Sequence, residues 1–287
     1  MNPRLSIKER IRTLDMLPAM REVAQKILAL PLNTDSGERQ LLELVSRDQM
    51  LTAKIVGLAN SPILGATRKI SSINDAAQLL GLAKVKYVAV SVAIITTLTK
   101  QPKGKLDIHY LWVHSMAMAI TMNALAKRMR VDLRPKDEEV FMVGLLHDIG
   151  FMVLDQLEPE RSDLLMQKIA ELPDRGISEI EAELLPVSHA EIGAELVAHW
   201  NFPQQIVAAI RDHHADAAHG KREALTELLK VAEKLLPTFN QLDGNPGAIS
   251  EAEWEFLGID AQHAAAICSE IGRYSEQAGE MASISSS

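Results

Sequence analysis

The stretch EVFMVGLLHDIGFMVLD, residues Glu139 to Asp155, sets a histidine and an aspartate side by side in an otherwise apolar run. Phe141, Met142, Val143, Leu145 and Leu146 precede the pair, and Ile149 and Phe151 follow it, all of them core-forming types. The run reads as a buried helix. A buried charge without a partner is very costly, so His147 and Asp148 must be ion-paired, hydrogen-bonded or bound to a metal. Whatever fold the chain adopts has to close around that requirement.

The rest of the sequence offers helices to do so. In MREVAQKILAL, Met20, Val23, Ile27 and Leu30 recur at spacings of three and four until Pro31 stops the helix. Asp48 is placed to cap a helix running to Ala59, Asn60 to Pro62 end it, and the loop ILGATRKISS follows. Ser72 or Asn74 can cap the short DAAQLLG helix, which Gly81 closes at its C′ position. An apolar helix follows from Val85 to Leu98. No segment alternates with period two for long enough to demand a strand. With 47 % apolar but only 4 % aromatic residues, the core must be built from Leu, Ile, Val, Ala and Met, which also suits helices better than sheets. The expected fold is all-α.

Thr99 to Asp107, TKQPKGKLD, is the clearest linker. It divides an N-terminal helical lobe, residues 1–100, from a second lobe, residues 105–240. A polar break at Gln241 to Glu253 precedes a C-terminal helix within 250–280, near Asp260 to Ala278, and residues 281–287 read as a disordered tail. The net charge of −8 speaks against a non-specific nucleic-acid binder, which needs a basic footprint. Cys268 is the only cysteine, which favours a reducing compartment. The N-terminus lacks the apolar centre of a signal peptide, and Tyr87 to Thr99 falls short of the ~20 residues that span a bilayer. Together these predict a soluble, cytoplasmic protein without a membrane partner.

The candidate chemistry lies in the second lobe. His114 shares a helix face with Leu111, Ala117, Met118 and Thr121. His147 lines up with Val140, Val143 and Gly144, and His189 with Ile192, Gly193 and Leu196. His213 and His214 follow Ile206 and Ile210 at helical offsets. Five histidines thus project inward from four helices, and neutral imidazole with carboxylate is a usual ligand set for Zn, Fe, Ni or Mn. The alternative is a set of hydrogen-bonded core histidines. His109, His199, His219 and His263 read as peripheral.

The segments LWVHSMAMA, GLLHDIG and HAEIGAELVAHWNFPQQIVAAIRDHH resemble the HDOD domain, a relative of the HD metal-dependent phosphohydrolases. LPAMREVAQKILAL, LLELVSRDQMLTAKIVGLANSP and ISSINDAAQLLGLAKVKYVAV extend the likeness across roughly Leu14 to Leu236. The resemblance implies that the second lobe is an HD-type helical bundle. It assigns His114, His147 and Asp148 as metal ligands, with His147 and Asp148 catalytic if the protein is an enzyme. The closing ligand, an aspartate in the family pattern, falls on Glu233. His189, His213 and His214 resemble the added histidines that hold a second metal in some HD enzymes, so one or two divalent transition-metal ions are implied. The cyclic-dinucleotide phosphodiesterase branch carries a lysine directly after HDIG, where this chain has Phe151, and a Gly-Tyr-Pro motif that is absent here. Cyclic di-GMP hydrolysis is therefore not expected.

Two functions follow from the resemblance. One is a bacterial signal-transduction module that acts by binding a protein or ligand, with an unidentified signalling partner such as a response regulator or a cyclase system. The loop NSPILGATRKISS is then a candidate contact surface. The other is a metal-dependent phosphohydrolase acting on a nucleotide or phosphodiester, with Arg211 and Lys230 as candidate phosphate contacts.

Overall fold

The computed structural model describes residues 22–60, 66, 68–98, 103–215, 222–236, 239 and 249–284; among these there are helices and no strand. The first helices are α1 (Glu22–Ala29), α2 (Asp35–Arg47), α3 (Gln49–Ala59), α4 (Ile73–Leu80) and α5 (Leu82–Leu98). Their ends are where local chemistry puts them. Asp48 caps α3 by accepting the amides of Met50 and Leu51, and Ser72 caps α4 by accepting that of Asp75. Gly81, at φ 82°, turns the chain between α4 and α5, which meet at 118°. α5 has apolar residues on all sides because it is an interior helix, packed against α1, α3 and α4 and against helices of the second half. Lys86 on α5 donates to the carbonyl of Leu30 just past α1 (2.7 Å), tying the two together.

The second half comprises α6 (Ile108–Arg128), α7 (Asp137–Leu146), α8 (Ile149–Leu157), α9 (Pro159–Glu171), α10 (Ile177–Leu184), α11 (His189–His199), α12 (Gln204–Asp212) and α13 (Ala224–Leu235). It closes with α14 (Glu251–Leu257) and α15 (Ala261–Ile284). α6 runs through the middle, in contact with α7, α13 and α15; α8 lies on α9 and α11, and α12 bridges α11 and α13. The sequence predicts one C-terminal helix within 250–280. The structure has two, separated by left-handed Gly258 (φ 65°), and α15 continues to Ile284 into the segment read as a tail. α15 also touches α3, and Arg128 of α6 pairs with its Glu270 (3.2 Å).

Two close approaches set the frame of the centre. A Cβ on Gly144 of α7 would lie 2.5 Å from Cα of Ala119 in α6, and one on Gly150 of α8 would lie 1.9 Å from the carbonyl oxygen of His189 in α11. Only glycine lets these backbones meet. The stretch Asp137–Leu157 has the length and hydropathy of a bilayer span, yet its side chains are packed into the bundle interior.

Candidate metal centre

The predicted single helix through HDIG is in fact two. α7 ends at Leu146, and α8 starts at Ile149, with Asp148 between them at φ −96°, ψ 11°. That sparsely populated conformation is common where a side chain is aimed for function. The turn delivers His147 and Asp148 together into the bundle. His114 reaches in from the second turn of α6, Glu233 from the last turn of α13, His189 from the first residue of α11, and His213 and His214 from the end of α12.

These side chains form two adjoining sets that share Asp148. On one side the Nε2 atoms of His114 and His147 are 3.3 Å apart. Asp148 Oδ2 lies 3.3 Å from His147 Nε2 and 3.7 Å from His114 Nε2, and Glu233 Oε1 lies 2.8 and 3.6 Å from the same two atoms. On the other side Asp148 Oδ1 lies 3.3 Å from His189 Nε2 and 3.8 Å from His213 Nε2, which are 3.3 Å from each other. The ring of His214 lies 4.1 Å from that of His213 and 5.0 Å from that of His189, centre to centre. His147 and His189 are fully buried, and Asp148 and His213 nearly so.

The hydrogen bonds behind the rings test whether an ion fits. His147 Nδ1 bonds the carbonyl of Gly144 (3.0 Å), His213 Nδ1 that of Ile210 (2.7 Å), and His189 Nδ1 the carboxylate of Glu181 (2.8 and 2.9 Å). Carbonyls and carboxylates only accept, so each Nδ1 is the protonated nitrogen, and in a neutral ring Nε2 keeps its lone pair. Three lone-pair atoms and the oxygens of Asp148 and Glu233 then face one another at close range. Such an arrangement needs positive charge at its centre. Two donors each about 2.05 Å from a tetrahedral ion stand about 3.3 Å apart, and the separations here scatter around that value. The residues fit a divalent transition metal in each set, with Asp148 offering one oxygen to each.

Without an ion, protons supply the charge. Burial opposes a charged His147, but the carboxylates of Asp148 and Glu233 outweigh it and raise the imidazole to about 10. His189 is raised to about 10 in the same way, against burial, by Glu181 and Asp148. Burial alone would raise Asp148 and Glu233; the facing imidazoles hold both carboxylates well below the usual range instead. Burial, reinforced by repulsion from the neighbouring histidines, pushes His213 well down.

The sequence model of the HDOD domain matches residues 17–216. The chain belongs to the HDOD family. An HDOD domain protein of unknown function from Geobacter sulfurreducens is 26 % identical with a TM-score of 0.79, the match covering 96 % of each chain. A protein from Marinobacter aquaeolei VT8, whose proposed role is signal transduction, is also 26 % identical (TM-score 0.77), covering 99 % of this chain and 62 % of that one. An uncharacterised protein of Treponema pallidum (strain Nichols) is 28 % identical over 211 residues; this chain aligns with 73 % of its own length but only 39 % of that relative's.

Within this HDOD chain the structure brings together His114, His147, Asp148, Glu233, His189, His213 and His214. Glu233, which falls where the resemblance implies an aspartate, brings its Oε1 to 2.8 Å from His147 Nε2. Arg211 and Lys230 are engaged elsewhere. Arg211 is bound through two nitrogens to Asp212 (2.7 Å each), while Lys230 donates to the carbonyl of Ala215 (2.7 Å) and lies 3.7 Å from Glu227. His109 and His263 are exposed and His199 is half-buried; His219 and most of the loop after Asn60 lie outside the described residues. Phe151 packs flat on the His189 ring at 4.0 Å, with Phe239 edge-on to it (5.4 Å) and Tyr110 stacked on Phe239 (5.2 Å). An aromatic wall thus backs the second set. Sequence reasoning missed Glu181, which is 1 % exposed. Its signal was present: Ile177, Ile180, Glu181 and Leu184 share one face of α10, and a glutamate on an apolar face needs a buried partner.

Proposed function

We propose that this chain is a regulatory HDOD module of bacterial signal transduction, built around a buried two-ion metal centre and acting by binding a partner rather than by hydrolysis. The observation that carries the reading is Phe151. It is fully buried and stacked on His189. An apolar ring there offers nothing to a phosphate and shields a ligand of the second ion from approach. The two cations that the sequence offered for phosphate binding point the same way, since both are committed to other partners. The partner would be a signalling protein such as a response regulator or a cyclase system. The lone, exposed Cys268 supports a reducing, cytoplasmic setting.

One observation favours a metal-dependent phosphohydrolase instead: Asp148 turns one oxygen to each donor set, as a bridging carboxylate does. Bound ions would lower the pKa of a coordinated water and clamp a phosphate. In either case the residues play the same parts. His114, His147, Asp148 and Glu233 would hold the first ion, and His189, His213 and His214 the second. Gly144 and Ile210 orient two of the rings through their carbonyls, and Phe151 keeps water from the His189 side.

The test is the metal content of protein purified without a metal-affinity tag, compared with His147→Ala and Asp148→Ala, followed by a screen of phosphodiesters and nucleotides. We expect near-stoichiometric Fe, Mn, Ni or Zn in the wild type, its loss in both variants, and no turnover. Turnover abolished by either substitution would replace the regulatory reading with the hydrolytic one. Folded wild-type protein that stays metal-free after reconstitution would remove the metal centre.

A further inference from the structure

The three rings whose Nδ1 partners are defined are not held in the same way. His147 and His213 each follow the last residue of a helix and bond back to the carbonyl three residues earlier, Gly144 and Ile210. Carbonyls in the last turn of a helix have no partner within it, so those acceptors come free with the position. His189 is the first residue of α11. A helix start offers amide N–H groups rather than carbonyls, so its Nδ1–H must find an acceptor elsewhere. Glu181 of α10 supplies it. One carboxylate accepts both from His189 Nδ1 and from the His189 backbone amide (2.8 Å), at the positive end of α11, where an anion is favoured. Asp148 and Glu233 both belong to the first donor set. The second set otherwise offers three neutral imidazoles and a share of Asp148, a poor balance for a buried divalent ion.

We propose that Glu181 is the positioning residue of the second ion site. It fixes His189 with Nε2 turned toward Asp148 and supplies the local negative charge, so that the His189, His213 and His214 site depends on it while the His114, His147, Asp148 and Glu233 site does not. Carboxylates behind a ligating histidine orient the ring and raise its basicity, and losing one lowers metal affinity by about 10–100-fold. The inference rests on the two-ion reading above.

The experiment is a Co²⁺ titration of metal-free wild type, Glu181→Gln and Glu181→Asp, following bound stoichiometry and visible absorption, with the melting temperature of each metal-free protein measured in parallel. Wild type should take up two ions. Glu181→Gln, which keeps the shape but not the charge, should bind the first unchanged and the second about 10–100-fold more weakly. Glu181→Asp, with its charge retained one methylene further back, should fall between them. If Glu181→Gln does not fold, Glu181→Asp decides: a weakened second ion supports the assignment, and unchanged binding of both overturns it. Two ions bound equally well by wild type and Glu181→Gln, with only a lowered melting temperature in the variant, would make Glu181 structural and overturn the inference while leaving the centre intact. A wild type that takes up one ion or none would overturn the inference together with the two-ion reading.

Discussion

Gly150→Ala tests the packing that holds the centre together. The added methyl would sit 1.9 Å from the carbonyl oxygen of His189, 2.7 Å from its carbonyl carbon and 3.0 Å from the amide nitrogen of Gly193. All three are backbone atoms, so no side chain can swing aside. α8 and the first turn of α11 must separate, and that turn carries His189. Overpacking of a well-filled interior costs about 1–3 kcal/mol, and a clash with backbone belongs at the upper end. Alanine's better helix propensity returns about 1 kcal/mol. The net loss is about 2 kcal/mol, which for a protein of this size lowers the melting temperature by roughly 3 °C. Gly193→Ala is the control. Its methyl would meet Ile149 Cγ2, Gly150 N and Ile210 Cγ2 at 3.2–3.3 Å, contacts that shifts of a few tenths of an ångström relieve. Thermal melts monitored by circular dichroism, beside metal titrations, read both variants. Gly150→Ala should melt lower and bind the second ion more weakly, while Gly193→Ala should stay close to wild type. A Gly150→Ala protein that melts within a degree of wild type would refute the close approach of α8 and α11.

Phe151→Ala removes a fully buried ring and should cost about 3–5 kcal/mol in a denaturant titration; it should also open the His189 side to solvent, seen as faster metal loss to a chelator. The metal-free protein should lose stability in alkali. His147 and His189 are raised from 6.5 to about 10 in the folded state, so their stabilisation is complete below pH 6.5 and disappears as pH rises through about 10; a melting temperature that does not fall across this window would contradict the pairing. Asn60→Ala takes away an amide that exchanges hydrogen bonds with the backbone of Ile70 (2.8 Å each way), and should destabilise by about 1–3 kcal/mol in chemical unfolding.

The helical class of the fold was legible because helix formation is a local matter. The three- and four-residue spacing of apolar residues, Asp48 as a cap and Gly81 as a stop each act within a turn or two of the chain and appear where the sequence placed them, and of the two candidate caps Ser72 and Asn74 it is Ser72 that caps α4. The membership of the centre was partly legible for a related reason. A histidine on an apolar helix face has few fates, and several on different helices have a common one. Linear spacing carried no information about Lys230, which donates to the carbonyl of Ala215 fifteen residues earlier.

What the sequence by itself determined, then, is that the chain is helical and that His147 and Asp148 are buried with partners, since helical period and the penalty on a buried charge depend only on which residues stand near one another in the chain. Tertiary structure alone decided the rest. It broke the HDIG run at Asp148 so that the two oxygens of one carboxylate face different sets of imidazoles. It brought Glu181 behind His189 from another helix and laid Phe151 across the ring. Those relations depend on where distant helices cross, and crossings are set by the packing of surfaces, such as the bare backbones of Gly144 and Gly150, that no local pattern encodes.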